Sequence, residues 1–181
     1  MPVLFDKRFM EMLSSQTVSV VGGLLAGALL VVFTDRLLYL PGMLIFIPGF
    51  LEMRGNISGT FASRLSSGLF LGVIKPTRFH TRLVHGNLAA SFILALIASA
   101  VLGILAFLLT GMLSGIFLPK LLLIPVLAGL LANAIEVPLT LFATFTLFRR
   151  GHDPNNIMGP FITATGDVTS TAALLIVMVL L

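Results

Sequence analysis

Long apolar segments, separated by short polar connections, run through the whole chain. A transmembrane helix needs about 20 mostly apolar residues, and the pattern predicts five such helices in a single domain over residues 1–181. Residues 86–119 contain no charged side chain, yet they are too many for one ordinary crossing, so we divide them at the glycine and proline positions near their end. The predicted spans are about 12–34, 37–65, 88–109, 119–148 and 155–181. This pattern predicts an all-α polytopic membrane protein.

The amino-acid composition limits the class of protein and the kinds of metal site that are possible. Only 10% of the residues are charged and 57% are hydrophobic, whereas a soluble domain has about a quarter of its residues charged. The chain has no cysteine and three histidines, which excludes disulfides and thiolate ligands and leaves hard, oxygen-liganded cations as the expected metals. No nucleophile, base and orienting group occur at usable spacing, so we expect no enzymatic activity and no organic cofactor.

The distribution of the basic residues predicts the orientation. With five spans and a cytoplasmic N-terminus, the C-terminus lies outside, and only Arg36 and Lys120 join it there. Eight other basic residues then lie inside: Lys7, Arg8, Arg64, Lys75, Arg78, Arg82, Arg149 and Arg150. This positive-inside bias favours one fixed orientation. It explains the net charge of +4 without nucleic acid, and it suits contact with anionic membrane lipid.

Two spans carry rows of small residues, which allow helices to pack closely in lipid. The first span has Ser19, Gly23 and Gly27, with Gly22 and Ala26 beside them. The third has Ser91, Ala95, Ser99 and Gly103. We predict that both are packing helices without direct chemistry.

The other three spans carry polar side chains at three- and four-residue steps, which places each set on one helical face. In the second span these are Glu52, Asn56, Thr60, Ser63 and Ser67. The fourth has Gly129, Asn133, Glu136, Thr140 and Thr144, and the fifth has Gly159, Thr163, Asp167, Ser170 and Thr171. The three stripes predict a polar interior that the three helices share. The alternative for the serines and threonines is ordinary hydrogen bonding between helices.

The carboxylates within the spans are the strongest functional candidates, because a charge at mid-bilayer costs about 3 kcal/mol. Asp167 lies midway between Asp153 and Leu181, about 20 Å from each end of its helix and therefore near the midplane. Arg54 can neutralise one carboxylate, and we expect it to pair with a glutamate and leave Asp167 free. Glu52 and Glu136 stay open between such pairing and lining an ion pathway.

Asp153 and Pro154 precede the last span. An aspartate followed by proline is typical of a helix N-cap with proline at the first helical position. The alternative is that Asp153 belongs to a polar approach to the span, together with the asparagines that follow it. We favour the cap.

Two stretches resemble a known family. IPGFLEMRGNISGTFASRLSS in the second span is similar to one signature of the MgtE magnesium channels and of solute-carrier family 41. DPNNIMGPFITATGDVTS resembles the other signature, in which Asp-Pro opens the last helix and an aspartate follows a threonine-rich turn. Both motifs occur in the family's order and on the predicted helices, so the resemblance covers nearly the whole chain.

The resemblance implies transport of a divalent cation, with Mg²⁺ foremost, across a prokaryotic cell membrane. It implies a pore between two copies of the transmembrane domain, where Asp167 holds a hydrated ion and Asn56, Gly159 and Thr163 line the pathway. Glu52 and Glu136 complete the predicted set of metal-site residues. Only residues 1–11 precede the first span, so we expect none of the cytoplasmic regulatory domain of MgtE.

A dimer also follows from the charges. One Asp167 supplies a single negative charge, whereas two copies about a two-fold axis balance a dication. The predicted assembly is a parallel homodimer, or one chain paired with a homologous half. Two other functions stay open: a proton- or sodium-coupled divalent-cation exchanger, and a non-transporting membrane subunit.

Overall fold

A computed structural model describes residues 6–181, and in these residues every regular element is an α-helix. The prediction of an all-α protein is confirmed. The six helices are α1 (Lys7–Val32), α2 (Thr34–Tyr39), α3 (Met43–Phe70), α4 (Arg82–Ser114), α5 (Lys120–Arg149) and α6 (Pro154–Leu180). Residues 1–5, which the predicted domain included, lie outside the described part of the chain.

The predicted second span is divided in the structure. It was expected to begin at residue 37 and run without a break, but α2 ends at Tyr39 and α3 begins at Met43. Gly42 has a φ of 92°, a left-handed conformation that stops a helix and is easily adopted by glycine. The chain therefore turns at Pro41 and Gly42 before α3 begins.

Four helices are long and apolar enough to cross a membrane: α1, α4, α5 and α6. They correspond to the predicted first, third, fourth and fifth spans. The helix α3 has 28 residues but contains Glu52, Arg54 and Arg64, which lower its hydropathy. The presence of four long apolar helices makes this an integral membrane protein, and a fifth crossing by α3 stays a prediction.

Helix ends follow ordinary capping chemistry. The side chain of Asp153 accepts a hydrogen bond from the backbone N–H of Asn155 at 2.9 Å, with Pro154 at the first helical position. The predicted N-cap is therefore confirmed. Thr81 caps α4 in a similar way, through the backbone N–H of Val84.

The helix α6 lies at the centre of the arrangement and packs against α1, α3 and α5. It meets α1 through Gly22, where an added Cβ would lie 2.5 Å from Ala164. The buried residues of α1 are Ser15, Gly22 and Ala26, whereas Gly23 and Gly27 have no neighbour within 4 Å of an added Cβ. The packing face of α1 is thus formed by Ser15, Gly22 and Ala26. It lies beside the row of Ser19, Gly23 and Gly27.

The row of small residues on α4 is the packing face, as predicted. Ser91, Ala95, Ser99 and Gly103 are all buried. An added Cβ at Gly103 would lie 3.0 Å from the backbone oxygen of Leu121, so α4 and α5 come within backbone contact. Small side chains permit this approach in a membrane.

Three apolar clusters lie in the interior of the described residues, and two of them lie on either side of a polar region. One contains Phe46, Phe50 and Ile124, and the other contains Phe61 and Phe145. Along α3 and α5, the residues between these clusters include buried polar side chains. The interior therefore has a polar layer between two apolar layers.

Most of the basic residues meet at one end of the molecule. The Arg149 Nε donates to the Pro76 carbonyl at 2.6 Å, and its guanidinium lies 4.5 Å from the Phe79 ring centroid. The Lys7 Nζ donates to the Gly151 carbonyl at 3.2 Å. The start of α1, the α3–α4 loop and the α5–α6 loop therefore share this basic end.

Candidate functional site

Polar side chains of α3 lie exposed along one face of the helix. These are Glu52, Asn56, Thr60 and Ser63. On the neighbouring helix α6, Gly159 and Thr163 are exposed and Asp167 is half-buried. We call these seven residues the open face.

Contacts within the open face connect its polar groups. The Asn56 Nδ2 donates to the Glu52 Oε1 at 3.1 Å. Glu52 lies close enough for its charge to act on the Asp167 carboxylate. The Thr163 hydroxyl donates to the Gly159 carbonyl at 3.2 Å, one turn earlier on α6. The two carboxylates therefore form one negatively charged region.

A groove of about 200 Å³ separates α3 and α6 near the start of α6. Its walls include Gly59 and Ser63 on α3 and Asn155 and Gly159 on α6. Glycines at two of these positions leave the backbone accessible. The groove thus shares Ser63 and Gly159 with the open face.

The polar stripe of α5 lies inside the protomer. Asn133, Glu136, Thr140 and Thr144 are at most 1% exposed. The Glu136 carboxylate accepts a hydrogen bond from Thr165 at 2.9 Å and from Thr169 at 3.1 Å. The structure therefore does not bring Glu136 to the open face, although Glu52, Asn56, Gly159, Thr163 and Asp167 all lie there.

Arg54 is buried in the same interior region, with 2% of its surface exposed. Its Nη1 donates to the Asn133 Oδ1 at 2.8 Å, and the structure shows no ion pair between Arg54 and a carboxylate in residues 6–181. Glu136 nevertheless acts on it electrostatically. The expected ion pair between Arg54 and a glutamate is therefore not found in residues 6–181, where the guanidinium bonds the neutral amide of Asn133 instead.

Sequence comparison agrees with the motifs. Residues 47–177, well over half of the chain, match the model of the MgtE family, described as divalent cation transporters. This chain belongs to the MgtE family. No curated protein and no solved structure matches it significantly.

Membership of the MgtE family confirms the resemblance drawn from the two signatures. The matched region begins in α3 and ends in α6, so it includes the whole open face. The family's members transport divalent cations, and the polar face on a chain with four long apolar helices suits that activity. Transport of divalent cations is therefore the family-level function of this protein.

Within one MgtE-family protomer, the carboxylates are too dispersed for a conventional metal centre. No three acidic or histidine side chains come together to hold an ion in the part of the chain that the structure describes. Asp167 and Glu52 are the two carboxylates of the open face.

Two residues of α6 that contact the buried α5 stripe were not predicted from the sequence. Thr165 and Thr169 were not in the predicted stripe, yet they are the residues that bond Glu136. Their four-residue spacing would have placed them on one face. Their contact with α5 distinguishes them from Thr163, because the Thr163 hydroxyl faces the other side of α6.

Proposed function

We propose that this protein carries Mg²⁺ across a prokaryotic cell membrane through a pathway between two copies arranged as a parallel dimer. The observation that carries the proposal is the open face of α3 and α6. It presents two carboxylates, an amide and hydroxyls on the outside of a membrane protein.

Lipid is an unsuitable neighbour for such a face. Ionised side chains at membrane depth line water-filled cavities or face protein. The helix α3 has 28 residues and is about 42 Å long at 1.5 Å per residue, enough to cross the bilayer as a fifth span. A second copy about a two-fold axis would cover both open faces and enclose a polar path.

The charge balance supports the same assembly. Two copies of Asp167 would provide two negative charges for one divalent cation, and the two Glu52 carboxylates would add attraction along the path. Mg²⁺ gives up its water reluctantly and prefers oxygen ligands in octahedral geometry. Asn56, Thr163 and the Gly159 carbonyl would therefore contact the ion mainly through its bound water.

Glu136 does not contact the ion in this proposal. The carboxylate is 1% exposed and both of its oxygens accept hydrogen bonds inside the protomer. We therefore assign the ion to the open-face residues and regard Glu136 as part of the supporting interior. The basic end of the molecule would face the cytoplasm under the positive-inside rule.

Flux into liposomes tests the proposal. Purified protein is reconstituted with a Mg²⁺-sensitive dye inside the vesicles, and influx is compared for the wild type, Asp167→Ala and the control Asp35→Ala. Asp35 is exposed on α2, outside the open face. We expect Asp167→Ala to reduce the flux at least about tenfold, a barrier change near 1.4 kcal/mol, and the control to match the wild type.

Two results would contradict different parts of the proposal. Wild-type flux in Asp167→Ala would remove Asp167 from the ion site. A reconstituted wild-type protein that carries no Mg²⁺ would remove the transport function itself.

A further inference from the structure

Glu136 makes two contacts with α6 that bracket the proposed ion site. Its Oε1 accepts from the Thr165 hydroxyl at 2.9 Å, and its Oε2 accepts from the Thr169 hydroxyl at 3.1 Å. Asp167 lies two residues from each threonine. The carboxylate on α5 therefore holds α6 immediately before and immediately after Asp167.

Helix geometry relates these contacts to the direction of Asp167. Successive residues turn about 100° around an α-helix, so Thr165 and Thr169 lie on nearly the same side. Asp167 projects about 180° from their mean direction. A clamp on the threonine side of α6 therefore fixes the rotation that turns Asp167 toward the open face.

The link between α5 and α6 depends on the Glu136 side chain as the hydrogen-bond acceptor. Each threonine has one hydroxyl hydrogen, and a carbonyl of its own helix competes for it: Phe161 for Thr165 at 2.9 Å and Gly166 for Thr169 at 3.3 Å. An ionised carboxylate is a stronger acceptor than a carbonyl. Without it, both hydroxyls can bond within α6 and the link to α5 is lost.

The surroundings of Glu136 suit a fixed carboxylate. It is 1% exposed, and the buried guanidinium of Arg54 acts on it electrostatically. Arg54 is held in turn by Asn133, one turn before Glu136 on α5. Burial keeps the Glu136 side chain inside the protomer, where it bonds α6.

We propose that Glu136 is a positioning residue, which holds α6 through Thr165 and Thr169 so that Asp167 points into the ion pathway. The inference rests on the proposed function of Asp167, but it concerns the orientation of the helix and not the identity of the ion. It gives Glu136 a role in transport without direct contact with the cation.

The test combines flux with a direct measure of helix orientation. The double variant Thr165→Val/Thr169→Val removes both donors and nearly preserves shape. Its control is Thr140→Val/Thr144→Val, two threonines one turn apart on α5 that are fully buried and do not bond Glu136. Because the chain has no cysteine, a single Thr163→Cys or Ile162→Cys can report accessibility to a water-soluble thiol reagent in each background.

In the unaltered background, we expect Thr163→Cys to react much faster than Ile162→Cys, because position 163 is exposed and Ile162 is 1% exposed. The Thr165→Val/Thr169→Val variant should lower the labelling ratio, which is the reaction rate of Thr163→Cys divided by that of Ile162→Cys. It should also reduce the Mg²⁺ flux about tenfold or more, because misplacement of a binding group by about 1 Å can have an effect of this size. Glu136→Gln should likewise lower both the labelling ratio and the Mg²⁺ flux. The control pair should leave both unchanged.

Unchanged flux and labelling in the Thr165→Val/Thr169→Val pair would overturn the inference. So would lost flux with an unchanged labelling ratio, since the defect would then not be a change in orientation. If the double variant does not fold, Thr165→Val and Thr169→Val are measured singly. Each single variant should then lower the labelling ratio and the Mg²⁺ flux, by less than the double variant would. If the wild type carries no Mg²⁺, the proposed function fails, while the labelling ratio still decides whether Glu136 orients α6.

Discussion

At the residue scale, Glu52 and Arg54 show that two charged residues close together in sequence can lie in different surroundings, one exposed and the other buried. They are two residues apart on α3, about 200° around the helix axis. Glu52 is exposed on the open face, whereas Arg54 is buried and bonds Asn133. The short distance between these opposite charges in sequence therefore does not make them partners.

Arg54 and Glu136 should depend on each other for stability. Both side chains are buried, and Arg54→Met would leave the Asn133 Oδ1 without its donor as well as removing the cation near Glu136. A hydrogen bond to a charged group contributes about 1.5–3 kcal/mol, so we expect Arg54→Met to lower the free energy of unfolding by about 2 kcal/mol, measured by denaturation in mixed detergent micelles.

The control is the double variant Arg54→Met/Glu136→Gln, which removes both charges. Its loss should be smaller than the sum of the two single losses, with a coupling energy of about 0.5–3 kcal/mol. Strictly additive losses would mean that the two side chains do not interact.

At the element scale, α1 depends on α6 for most of its packing. Besides the short helix α2, α6 is the helix that α1 contacts in the described chain. Beyond Gly22, the contacts include a hydrogen bond of 2.8 Å between the Glu11 carboxylate and His152, which precedes α6. The Asn156 amide also donates to Glu11, at 3.2 Å. Small-residue packing and a polar contact near one end therefore attach α1 to the helix that bears Asp167.

Gly22→Ala should loosen this attachment, because the added methyl group would meet the Ala164 backbone at 2.5 Å. Overpacking of this kind costs about 1–3 kcal/mol. We expect a lower midpoint of thermal unfolding in detergent for Gly22→Ala.

Gly23→Ala is the matched control, since nothing lies within 4 Å of its added Cβ. It should be neutral or stabilising by up to about 1 kcal/mol, because alanine favours a helix more than glycine does. Equal destabilisation by both substitutions would contradict the packing face assigned to α1.

At the scale of the whole molecule, the polar groups divide into an interior cluster and an open face. The interior cluster is closed by contacts within one protomer, but the open face has no protein partner there. The polar groups of the interior are thus separated from the surface that carries Asp167.

The protein should be a dimer joined through the open faces. Mass measurement in detergent by light scattering should give two chains per particle, and Thr60→Cys should form a cross-link between copies in native membranes. Ile97→Cys is the control, because Ile97 lies on α4 and is 57% exposed on a surface that suits lipid. A monomer, or cross-linking at position 97 but not at 60, would contradict this assembly.

The sequence by itself determined the all-α fold, the helix-capping role of Asp153, the packing row of α4 and the family. These features depend on residues close together along the chain: runs of apolar side chains, the 3.6-residue period and short motifs. Tertiary structure alone decided that α1 packs through Gly22 and not Gly23, that the α5 stripe is interior, and that Thr165 and Thr169 bond Glu136. The rotation of each helix is set by contacts between distant segments, and apolar or small residues fit against either lipid or protein, so no local pattern fixes it.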